Sequence, residues 1–80
     1  MPYIRSQERE DLKRSPAVQT PGQLNFMLTL FIKDYIDRKG LSYQTINDIV
    51  GALEGTKLEF YRRIAVPYEN TKMAENGDVY

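Results

Sequence analysis

The fold depends on one stretch near the middle of the chain, IVGALEGTKLEFYRR, Ile49 to Arg63. Its two glycines, Gly51 and Gly55, are compatible with two structures. In the first, the stretch belongs to a single helix that another helix crosses closely, because small residues four apart share one helix face. In the second, Gly55 is the turn of a helix-turn-helix that reads DNA. The two structures predict different functions, and the flanking residues give evidence on which of the two forms.

An apolar stripe favours the single helix, because it stays in phase across both glycines. Acidic side chains point the same way: residues 41 to 60 contain three acids and one Lys, which suits a DNA-facing surface poorly. One pattern favours the helix-turn-helix instead: Thr56 and Glu59 form a capping-box pattern directly after Gly55, where a second helix would start. The stripe consists of Ile46, Ile49 or Val50, Leu53, Phe60 and Ile64.

We therefore predict one helix from about Tyr43 to Ala65. Val66-Pro67 is expected to end it, because the residue before a proline disfavours helical backbone angles. The helix-turn-helix remains the alternative for the same residues.

A second long helix is predicted upstream, from the strongest start pattern in the chain. Thr20 matches an N-cap, Pro21 the first helical position, and Gln23 the far side of a capping box. The helix is expected to run to Lys39. Gly40 then supplies a left-handed stop, with Leu41 folding back onto the last turn.

Only three residues, 40 to 42, connect the two long helices, and Ser42 is the predicted N-cap of the second. A connection this short predicts an antiparallel helical hairpin.

The upstream helix carries apolar residues on more than one face, which a single neighbouring helix does not cover. A chain of 80 residues buries a small core, and without Cys or His it has neither disulfides nor the usual zinc ligands. We therefore predict a homo-oligomer. The residues predicted at its interface are Leu24, Phe26, Met27, Leu30, Phe31, Gly51 and Gly55.

The predicted fold class is all-α, with one domain over residues 1–80. Residues 1–19 form an N-terminal arm and a short helix, SQEREDLKR, which Ser6 caps and Ser15-Pro16 ends. Residues 20–66 form the hairpin and residues 67–80 a polar tail. The terminal stretches PYI and DVY suit a two-stranded ribbon.

Composition argues against several functional classes. Eleven basic and eleven acidic residues cancel, which predicts no general attraction to nucleic acid or membranes. No apolar run approaches the roughly 18 residues of a membrane span, and the N-terminus lacks a signal-peptide pattern, so a cytoplasmic protein is expected. The common nucleophilic dyads need His or Cys, and GALEGTK lacks the spacing of a P-loop. We predict no catalysis, no metal and no cofactor.

One cluster is suited to a ligand: Lys57, Tyr61, Arg62 and Arg63. Tyr can stack on a base and Arg can bind phosphate with two hydrogen bonds, so between subunits this set predicts a nucleotide site. The alternative is that these amphipathic side chains cover the rim of a helical interface.

The strings TPGQLNF, KGLSYQTINDIVGALE, KLEFYRRIAVPYE and ENGDVY resemble a small family of bacterial and phage proteins of about this length, which carries only a domain-of-unknown-function label. The resemblance covers residues 20 to 80 and the opening MPYI, and it implies no catalytic residues. By architecture alone, the predicted oligomer is similar to phage sponge proteins that sequester cyclic nucleotide signals of bacterial immunity.

The function expected from the sequence is therefore a non-enzymatic oligomeric binding protein that sequesters a small anionic nucleotide in the bacterial host cell. One alternative is a DNA-binding regulator whose recognition helix spans Thr56 to Ile64. Another is a structural or partner-binding adaptor.

Overall fold

The computed structural model describes residues 4–80, and over that range the chain is helical and contains no strand. The all-α class is therefore confirmed. The predicted ribbon involves Pro2 and Tyr3, which lie outside the described residues, and Asp78 to Tyr80 form no strand. The elements are α1 (Ser6–Arg14), α2 (Pro21–Lys39), α3 (Tyr43–Phe60), a π-helical segment (Tyr61–Ala65) and α4 (Val66–Asn76).

The last three elements follow one another without a break, and together they are called the last helix. The chain divides into two compact units, Met1–Thr45 and Ile46–Tyr80. Taken over residues 4–80, the helices include none that is both long and apolar enough to cross a membrane.

In the first unit, α1 packs against α2. Leu12 on α1 and Phe26 on α2 are the buried apolar side chains among the described residues. A hydrogen bond joins the same two helices, from Gln23 Nε2 to Glu8 Oε2 at 3.1 Å. The core of this unit is therefore small and lies between its two helices.

The start of α1 differs from the prediction. Arg5 occupies the N-cap position and makes no capping hydrogen bond with its side chain. Ser6 is the first helical residue, and its Oγ accepts a hydrogen bond from Arg9 Nη2 at 2.9 Å. The same guanidinium also donates to the carbonyl of Ile4, so Arg9 holds the preceding chain in place of a Ser cap.

The start of α2 is as predicted. Thr20 Oγ1 accepts a hydrogen bond from the Gln23 backbone N–H at 3.1 Å, which satisfies one of the free donors of the first turn. The Gln23 side chain also reaches back, but its Oε1 accepts from the Gln19 N–H at 2.8 Å, not from the cap residue itself. The capping box is therefore completed at Gln19, one residue before the N-cap Thr20.

Replacing Thr20 by Ala is expected to lower the free energy of unfolding by about 1 kcal/mol, because the first turn of α2 loses its cap. Thr71→Ala is the matched control, since the Thr71 hydroxyl bonds to the Pro67 carbonyl in a helix interior, where Ala is favoured. Urea unfolding followed by circular dichroism measures both. Equal effects of the two substitutions would contradict the capping role.

The end of α2 departs from the predicted folded-back turn. Gly40 has a positive φ of 82°, but its ψ of 151° is extended, and Leu41 is 75% exposed. Buried Thr45 explains the difference, because its Oγ1 donates to the Gly40 carbonyl at 2.7 Å. Ser42 Oγ accepts from the Thr45 N–H at 3.1 Å, which confirms Ser42 as the cap of α3.

The last helix is continuous across Gly51 and Gly55, as predicted. Thr56 does not start a new helix, since its Oγ1 donates to the carbonyl of Ala52, one turn earlier, at 2.9 Å. The helix-turn-helix interpretation of this stretch is therefore wrong: no turn is present at Gly55.

The predicted end of this helix at Val66-Pro67 is also wrong, because the helix continues to Asn76 and stops at Gly77, where φ is +87°. In a regular α-helix, the Pro67 ring would clash with the Arg63 carbonyl, four residues earlier. Here the Val66 N–H bonds to the Tyr61 carbonyl, five residues earlier. This wider π turn precedes the proline and accommodates it.

Candidate functional site

The four residues predicted to bind a ligand all lie on the last helix. Lys57 is in the last turn of α3, and Tyr61, Arg62 and Arg63 open the π-helical segment. All four are exposed to solvent. The structure therefore presents them on an open helix surface and does not enclose them in a cavity of the second unit.

Arg62 and Arg63 share one carboxylate. Arg62 Nη2 lies 2.8 Å from Glu59 Oε1, and Arg63 Nε lies 2.7 Å from Glu59 Oε2. Both pairs are exposed, so each stabilises the helix by at most about 1 kcal/mol. Because two guanidinium groups face a single carboxylate, this part of the helix surface keeps an excess positive charge.

Lys57 and Tyr61 also contact glutamates. Lys57 Nζ lies 3.8 Å from Glu54 Oε1, and the Tyr61 hydroxyl donates to Glu69 Oε1 at 3.4 Å. Every cation and hydroxyl of the cluster thus has an acidic neighbour on the same helix. A bound anion has to compete with these neighbours or rearrange them.

The π-helical segment changes which side chains of the last helix lie on the same side as the cluster. In an α-helix, residues eight apart, such as Tyr61 and Glu69, are about 80° apart around the axis. The wider turn removes much of that offset and brings the two side chains together. Sequence reasoning missed the segment, although the pair Val66-Pro67 marks the position that causes it.

A shallow apolar depression runs along the face of the last helix next to the cluster. Neither Gly51 nor Gly55 has an atom within 4 Å of the position that a Cβ would occupy. Both glycines therefore leave open space on the surface of the last helix. Arg63 borders the depression, which is lined by Ala52, Gly55, Thr56, Glu59, Phe60, Arg63 and Ile64.

The residues predicted at an oligomer interface fall into different environments. Phe26 is 7% exposed and belongs to the core between α1 and α2. Met27 and Leu30 are half-buried. Leu24 and Phe31 are exposed, Phe31 by 71% of its surface. The structure thus leaves part of the predicted set on the surface and assigns Phe26 to the interior.

No group of three or more acidic side chains in the described part of the chain is arranged to hold a metal ion. The arrangement offers exposed guanidinium groups, a tyrosine and a neighbouring apolar surface, which suit binding.

Comparison with known proteins gives a family but no activity. No curated protein and no solved structure matches the chain. A family model described as Domain of unknown function (DUF6899) matches residues 1–79. Because the match covers nearly the whole sequence, the chain belongs to the DUF6899 family.

Proposed function

We propose that this chain is the subunit of a non-enzymatic homo-oligomer of helical hairpins, which acts by binding a partner on its assembled surface. The observation that carries the proposal is the amount of apolar side chain left in contact with water on both long helices.

On α2, the exposed apolar residues lie opposite the face that packs on α1. Phe26 is two residues beyond Leu24, so it points about 200° away around the helix axis. Leu24, Leu28 and Phe31 recur at helical spacing and are all exposed. A hairpin partner or a second subunit is the natural cover for this stripe.

On the last helix, no side chain from Ile46 to Asn76 is fully buried. A helix in a protein gains most of its stability from packing of its apolar face, and this helix is rich in unpacked apolar residues. They include Val50, Leu53, Leu58, Phe60, Ile64 and Tyr68. Self-association supplies the missing packing without disulfides or metal.

Light scattering at several protein concentrations tests the proposal. A mass of two or more chains at micromolar concentration is the expected result. A folded helical monomer over the whole concentration range would refute the oligomer.

We further propose that Tyr61, Arg62 and Arg63 give the assembled protein affinity for a small anionic nucleotide. The supporting observation is that two guanidinium groups share the single carboxylate of Glu59, so a phosphate can be bound without removing every ion pair. The tyrosine ring beside them is exposed and able to stack on a base. The proposed mode of action is binding without turnover, that is, sequestration of the nucleotide.

Replacing Arg62 and Arg63 by Ala is expected to weaken nucleotide binding about tenfold or more, because charge-assisted hydrogen bonds to phosphate are lost. Titration calorimetry against cyclic and linear nucleotides measures the affinity. Lys13→Ala/Arg14→Ala is the matched control, since these two cations are also exposed and each pairs with one acid on its own helix. No binding of any nucleotide to the unmodified protein would remove the ligand from the proposal.

A further inference from the structure

The last helix has a charge pattern that is complementary to itself. Residues 57–63 contain three basic side chains and one acidic, and residues 69–78 contain three acidic and one basic. Between them, residues 64–68 carry no charge. The order along the helix is therefore basic, apolar, acidic, with Val66 at the centre.

The apolar centre of this pattern faces solvent. Ile64 is 59% exposed and Tyr68 is 62% exposed, although both are large apolar side chains one turn apart. The ion pairs within each block leave it with a net charge, because Arg62 and Arg63 share Glu59 in the basic block and Lys72 pairs with Glu75 as the one base of the acidic block. The chain thus displays an uncovered apolar surface between surfaces of opposite charge.

We propose that two copies of the last helix pair in antiparallel orientation about a two-fold axis near Val66. This pairing rests on the proposed self-association and assigns one of its contact surfaces to the last helix, in addition to the exposed stripe of α2. In such a pair, a residue that precedes Val66 in one copy lies opposite the residue that follows Val66 by the same number of positions in the other copy, because both helices rise about 1.5 Å per residue. Ile64 of one copy then faces Tyr68 of the other, and Arg63 faces Glu69.

The same geometry places Lys57 of one copy against Glu75 of the other, about 27 Å along the helix from its own Glu75. Each charge contact occurs twice, as a two-fold axis requires. A parallel, in-register pair is disfavoured, because it sets the basic block against the basic block and like charges at an interface repel. Charge complementarity therefore selects a second copy, in one orientation, as the occupant of this surface.

Charge exchange tests the pairing. The first variant is Lys57→Glu/Arg63→Glu, which sets acids against acids in its own homodimer. The second is Glu69→Lys/Glu75→Lys, which sets bases against bases. We expect each variant alone to associate at least tenfold more weakly than the unmodified protein, because both copies of every contact become repulsive.

An equimolar mixture of the two variants is expected to restore association, as a heterodimer in which every altered charge meets an opposite one. Sedimentation velocity with one variant labelled by a fluorophore measures homomeric and mixed species separately. Lys13→Glu/Arg14→Glu is the control, since it changes the net charge by the same amount on α1, which is not part of the last helix. Circular dichroism verifies that every variant remains helical.

The possible outcomes separate the two proposals. If the unmodified protein is oligomeric but the variants associate normally, or their mixture stays dissociated, the antiparallel pairing is overturned. The proposed oligomer is then unaffected. A monomeric unmodified protein overturns both. Restoration in the mixture, with no change in the control, supports the pairing.

Discussion

Phe26→Ala is expected to lower the free energy of unfolding by about 3 to 5 kcal/mol, the usual range for truncating a buried aromatic side chain. Phe26 is 7% exposed and shares the small core of the first unit with Leu12. A domain of this size has a total stability of only about 5 kcal/mol or somewhat more. The substitution is therefore expected to release α1 from α2.

Amide hydrogen exchange in α1 (Ser6–Arg14), together with urea unfolding, measures this release. Phe31→Ala is the matched control, because the same residue type lies on the same helix but is 71% exposed. The control is expected to leave exchange in α1 unchanged. If Phe26→Ala also left α1 protected, the core would have to lie elsewhere.

Local sequence rules predicted the boundaries of α2 well, because they depend on backbone donors and acceptors close in the chain. Thr20 has its capping partner three residues away, and Gly40 has the positive φ that ends the helix. The same rules failed at Pro67. They treat a proline as a stop, whereas a wider helical turn ahead of it lets the helix continue to Asn76.

The candidate site was predictable to the level of a helix surface. Glu59 precedes Arg62 and Arg63 by three and four residues, a spacing from which helix geometry alone would predict the ion pairs that the structure shows. The contact of Tyr61 with Glu69 spans eight residues and depends on the π turn, so no regular helical spacing predicts it. Burial was the least predictable feature: Phe26 and Phe31 are both apolar helix residues, and only tertiary packing of α1 separates their roles.

The exposure of Phe31, in contrast to buried Phe26, leads to the second prediction with a large effect. Phe31→Ser is expected to weaken self-association by about 30-fold or more. A central aromatic anchor at a protein interface typically contributes 2 kcal/mol or more when truncated, and about 1.4 kcal/mol corresponds to a tenfold change in affinity. Phe31 lies in the exposed stripe of α2 with Leu24 and Leu28, on the side away from α1. Its loss removes apolar area from the proposed interface without disturbing the core.

Leu41→Ser is the matched control for this prediction, because Leu41 is 75% exposed but lies in the connection between α2 and α3, outside the helical stripe. Light scattering over a dilution series gives the dissociation constant of each variant. If both substitutions weaken association equally, general surface hydrophobicity drives it and the α2 stripe is not a specific interface. If only Phe31→Ser dissociates the oligomer while α1 stays protected from exchange, then one helix uses opposite faces for folding and for assembly.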